Sequence, residues 1–140
     1  MNDRSQLTKA GLALAAAAGV LTVLGCLGPW LSSDIPGVSE GGLSSDGPVL
    51  LVLLALAAVP LALHATRGVP RGWLFTSPLL GVLMSLVCIV DVSDVQDNGL
   101  GIVHTGWGLM AATAGSVILA AAATVVVVAA HAGRRAHAAA

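Results

Sequence analysis

Residues 106–130 read GWGLMAATAGSVILAAAATVVVVAA, a run with no Asp, Glu, Lys or Arg. A bilayer core about 30 Å thick is crossed by roughly 20 apolar residues in a helix, so this run is long enough to span it. Three further segments, residues 10–31, 48–66 and 73–90, have the same length class and likewise contain no Asp, Glu, Lys or Arg. The whole chain agrees with them. Of its 140 residues 56% are hydrophobic and 9% are charged, and the mean hydropathy is +0.93. Soluble domains run about 45–50% apolar and about 25% charged, and disorder needs low hydrophobicity with high charge. Both classes are excluded. Transmembrane strands do not fit either, because lipid-exposed strands alternate in polarity and these runs do not. The expected fold is all-α: a single polytopic domain, residues 1–140, forming an up-and-down bundle of four transmembrane helices.

The few charges separate by side. Arg4 and Lys9 precede the first span, Arg67 and Arg71 lie in the turn 67–72, and Arg134 and Arg135 lie in the tail 131–140. Asp34, Glu40 and Asp46 fall in the loop 32–47, and Asp91, Asp94 and Asp97 in the loop 91–105, leaving Asp3 as the exception. Lys and Arg in short loops stay on the cytoplasmic side. This predicts both termini and the 67–72 turn in the cytoplasm of a bacterium, the two acidic loops outside, and residence in the plasma membrane. Trp30, Trp73 and Trp107 stand at span ends, where indole rings anchor at the headgroup level.

Helices in lipid associate by close packing of small residues and by hydrogen bonds. Gly108, Ala112, Ser116, Ala120 and Thr124 form an unbroken i, i+4 row of small residues in span four, read here as its packing face. Span one offers Gly11, Ala15 and Gly19, with Ala18, Thr22 and Cys26 on a neighbouring stripe. Pro60 and Pro78 are expected to bend or locally break spans two and three. The 67–72 turn makes those two spans neighbours. A faint direct repeat ends each half: His64-Ala65-Thr66-Arg67 and His131-Ala132-Gly133-Arg134.

Coupled transporters keep an ionisable residue in the membrane, and none of these spans has an Asp, Glu, Lys or Arg in its interior. The scattered Ser and Thr hydroxyls are too few to line a channel. Cys26 and Cys88 lie at similar depth near the outer face, where a disulfide could form if their Cα atoms approached within about 7 Å. Two buried free thiols are the simpler reading. Residues 22–26, TVLGC, also resemble a lipobox that would leave Cys26 as a lipidated N-terminus. Against it, residues 27–30 stay apolar and Leu24 suits its position poorly. The carboxylates of 91–99 lack the register of a calcium loop and read as solvated, with Asp97-Asn98-Gly99 as a turn. No serine nucleophile, metal-ligand cluster, phosphate loop or nucleic-acid patch is present, so neither an enzyme nor a cofactor is expected.

Span one ending in Pro29-Trp30, the loop Gly41-Gly42-Leu43-Ser44-Ser45-Asp46-Gly47, the Arg67-Gly68 and Arg71-Gly72 turns and the glycine-bearing fourth span resemble the small four-span actinobacterial integral membrane proteins of unknown function. The resemblance implies topology and source, and it brings no catalytic residues with it. The leading expectation is a non-enzymatic accessory subunit whose partners are the lipid bilayer and other integral membrane proteins or further copies of itself. A small oligomeric transporter or channel is the competing class, and a lipid-anchored protein processed at Cys26 is the third.

Overall fold

A computed structural model of the chain describes residues 2–35, 37, 39–67, 71–98 and 103–138. It is all-α with four helices, each long and apolar enough to cross a membrane: α1 (Asn2–Leu27), α2 (Gly47–Arg67), α3 (Thr76–Asn98) and α4 (Trp107–Ala138). Consecutive helices run in opposite directions. α4 packs most extensively on α1 and next on α3, α3 packs on α2, and α1 and α2 meet more sparsely. The bundle is thus a ring in the order α1, α4, α3, α2.

Several boundaries differ from those expected. The first helix stops at Leu27, not at residue 31, because Gly28 and Pro29 follow; the residue before a proline is pushed out of the helical region. The chain then runs straight into β1 (Pro29–Ser33). β1 is the middle strand of a small antiparallel sheet, between β2 (Ser39–Gly41) and β3 (Val103–Thr105). Leu31 pairs with Thr105 and Ser33 with Val103. On the other edge Ser32 pairs with Ser39, and the register slips between Pro29 and Leu31. This sheet caps one end of the bundle. At the same end α3 continues to Asn98, so Asp91, Asp94 and Asp97 ride on its last two turns and not on a loop. At the opposite end a 3-10 turn, Arg71–Phe75, leads into α3. Residues 99–102 and the turn residues 68–70 lie outside the described residues.

The prolines have different consequences. Pro60 is inside α2 and buried. Pro78 occupies the first turn of α3, which begins at Thr76, and there its missing N–H costs no helical bond. The expected break at Pro78 is therefore corrected to a helix start.

The interface between α1 and α4 is made by backbone approaching backbone. A β-carbon at Gly25 would lie 2.7 Å from the Gly108 carbonyl oxygen and 2.8 Å from Ala112 Cα. One at Gly115 would lie 2.8 Å from the Thr22 nitrogen and 2.9 Å from the Ala18 oxygen. Around this contact the core gathers Leu109, Leu119, Ala122 and Val126 from α4, Met84 from α3, and Leu50, Leu54, Ala57 and Leu61 from α2. The α2 residues recur every three to four positions, the spacing of one helical face.

Candidate functional site

Three places hold the polar side chains that sequence singled out: the bundle interior, the capped end, and the rim of aromatic residues.

In the interior the buried polar side chains among the described residues are Thr22, Ser77, Ser85 and Ser116. Each hydroxyl donates to a backbone carbonyl. Thr22 reaches Ala18 at 2.9 Å, Ser85 reaches Gly81 at 2.8 Å and Ser116 reaches Thr113 at 2.9 Å. Ser77 crosses from α3 to the Ala57 carbonyl of α2 at 2.7 Å. That carbonyl is next to the one whose helical bond Pro60 removes, and such hydroxyls commonly resupply backbone groups near a membrane proline. Ser85 and Ser116 also meet each other, oxygen to oxygen, at 3.3 Å. Cys26 and Cys88 are both fully buried and both free thiols.

The small-residue row of span four divides between two neighbours. Gly108 and Ala112 lie against α1, at Gly25. Ser116 meets Ser85 of α3 oxygen to oxygen, Ala120 packs on Gly81 of α3, and Thr124 is exposed, its hydroxyl turned back to Ala120 at 2.7 Å. Each four-residue step on a helix of 3.6 residues per turn overshoots by about 40°, so a five-member row winds from one neighbour to the next and out to lipid.

At the capped end a cleft of about 120 Å³ lies between the sheet and α3, with Glu40, Asp91 and Asp94 on its walls beside Trp30, Leu31 and Ser45. One carboxylate oxygen of Asp91 is buried without a hydrogen bond. Among the described residues no three His, Cys, Asp or Glu side chains are grouped to hold a metal ion. His104 of β3 stands 3.6 Å from Asp34, both well exposed, and exposed pairs of this kind contribute little.

The tryptophans divide as well. Trp73 is 64% exposed and Trp107 60%, which suits an anchor in the interfacial belt. Trp30 is only 2% exposed, and its indole N–H donates to the Gly25 carbonyl at 3.1 Å. The expected anchor role for Trp30 is therefore corrected: the bulged start of β1 turns the ring inward, where it caps the open end of α1. Of the basic residues, Lys9 is exposed on α1; the side chains of Arg4, Arg67, Arg71, Arg134 and Arg135 lie outside the described residues.

Sequence reasoning missed Gly25, Gly81 and Gly115, the glycines that set the helix contacts, and it missed the sheet. The glycines carried a readable signal, since glycine inside a helix costs about 1 kcal/mol against alanine unless something must approach closely. Neither a protein-family model nor any curated protein matches the chain. The chain is accordingly a multi-pass membrane protein by the length and composition of its helices.

Proposed function

We propose that the protein is a non-enzymatic accessory subunit of a complex in the plasma membrane of a bacterium, of actinobacterial type by its Ala-, Gly- and Val-rich composition, with both termini in the cytoplasm. The observation that carries this reading is the closed interior. The helices meet there through glycine, alanine and hydroxyl side chains, and the buried hydroxyls donate to backbone carbonyls. A coupling charge would need an ionisable group deep in the membrane, whereas Lys9, His64, Asp91, Asp94, Asp97 and His131 all lie within about two turns of a helix end, and a conducting path would need polar groups free to face water or an ion. The cap supports the same reading. It is tied to α1 through the Gly42 N–H bonded to the Gly28 carbonyl at 3.0 Å, and to α4 through the Gly106 N–H bonded to the Trp30 carbonyl at 2.7 Å. It also exposes Ile35 and Leu43 outside the spans, apolar surface suited to a partner.

Cleavage before Cys26 would remove α1, the helix with the most extensive contacts to α4, which speaks against the lipid-anchored alternative. Affinity purification from the native membrane in mild detergent tests the proposal. A larger membrane protein recovered in fixed ratio is the expected result. A homo-oligomer that moves solute across liposomes would overturn it in favour of a transporter or channel.

A further inference from the structure

Where α1 and α2 meet sparsely, a slot of about 510 Å³ runs along their seam. Leu12, Ala16, Gly19 and Val23 of α1 face Ala58 and Ala62 of α2 across it, and no polar side chain lines it. Water needs two to four polar partners to occupy a cavity, so an apolar body fills this one. Its length and its charged end decide which. From Leu12 to Leu24 helix α1 rises about 18 Å, so the slot is an elongated one that follows more than half of a bilayer core about 30 Å thick. A hydrocarbon chain, whose carbons touch neighbours at about 3.5–4 Å, fits.

Gly19 points the same way. At Gly11, Gly25, Gly81, Gly108 and Gly115 a β-carbon would come closer than 3.0 Å to a neighbouring element. At Gly19 it would meet only Leu54 Cδ1, at 3.7 Å. Packing within the chain makes no demand for glycine there, and the missing methyl leaves the floor of the slot open.

Charge sets the direction. Lys9 shares a helical face with Leu12, Ala16 and Val20, at the i, i+3, i+7 and i+11 positions. It is exposed at the end of the slot nearest the N-terminus, and it makes no ion pair among the described residues. The other end of the bundle carries Glu40, Asp46, Asp91 and Asp94. An anionic headgroup is attracted to the first end and repelled from the second.

We propose that the α1–α2 seam holds one acyl chain of an anionic phospholipid, with its phosphate against Lys9. This rests on the helices spanning a bilayer and is independent of which way the protein faces or what it assembles with. Native mass spectrometry of the delipidated protein, titrated with phosphatidylglycerol or with phosphatidylcholine of the same chains, tests it. One phosphatidylglycerol should bind about fivefold more tightly than phosphatidylcholine, the equivalent of the ~1 kcal/mol supplied by one lysine near a membrane surface. Lys9→Gln should abolish that preference. Ala16→Leu, which fills the slot, should remove the bound lipid, while Ala121→Leu on the exposed face of α4 should leave it. Equal binding of the two lipids by the wild-type protein, or full retention of lipid by Ala16→Leu, overturns the proposal. A dimer that Ala16→Leu dissolves also overturns it, in favour of a second copy. If Ala16→Leu alters the far-UV spectrum, Lys9→Gln, outside the packed interior, decides alone.

Discussion

At Gly115 the space for a β-carbon is already taken by backbone atoms of α1, which can move only if the whole helix moves. Gly115→Val is expected to destabilise the fold by about 1–3 kcal/mol, the usual cost of overpacking, read as a lower midpoint of unfolding in denaturing detergent. Gly19→Ala, with ordinary contacts awaiting its methyl, should stay within about 0.5 kcal/mol of wild type in the same assay. The thiols give a second residue-level expectation. Cys26 and Cys88 are fully buried, and buried apolar thiols are inert. A membrane-permeant maleimide should label neither in the folded protein and both after denaturation; a gel-shifted folded sample would contradict the burial. Some of this was legible in the residues themselves. Gly28-Pro29 marks the end of α1 plainly enough. What Trp30 does was not, since its role depends on a strand held along one edge by residues about seventy positions away.

Between elements, the governing period is the alternation of four and three. Gly11, Ala15, Ala18, Thr22 and Gly25 line the α4-facing side of α1, and Gly108, Ala112, Gly115, Leu119, Ala122 and Val126 answer them from α4. Spacings of four and three average 3.5, the repeat that keeps one seam facing a partner along its length. A search for strict i, i+4 rows finds only the first two members on α4 and then drifts onto the α3 side. The α3 side has its own tie, the Ser85–Ser116 contact. A double-mutant cycle with Ser85→Ala and Ser116→Ala should yield a coupling of about 0.6 kcal/mol, the average for such bonds within membranes; additive losses would mean that the two hydroxyls serve only their own helices. The four spans were readable because each is a local, uninterrupted signal. The three short strands were not, because β1 draws its hydrogen bonds from segments on both sides of two intervening helices.

For the molecule as a whole, the six acidic residues Asp34, Glu40, Asp46, Asp91, Asp94 and Asp97 gather at the capped end, and Lys9 lies at the other. If the positive-inside rule holds here, a single cysteine introduced as Ile35→Cys in a Cys26→Ala, Cys88→Ala background should react with an impermeant reagent added to intact cells. A C-terminal tag should stay protected until the cells are opened; the reverse pattern would invert the topology. The ring order α1, α4, α3, α2 has a further consequence for how the protein is made. The helix emerging first finds its main partner in the helix emerging last. At 5–20 residues per second, roughly 5–20 s pass between completion of α1 and completion of α4. Throughout that interval the glycine-lined side of α1 has no mate of its own, so a ribosome that stalls in the last quarter of the message releases a chain with its best adhesive surface bare, ready for a surveillance protease to recognise.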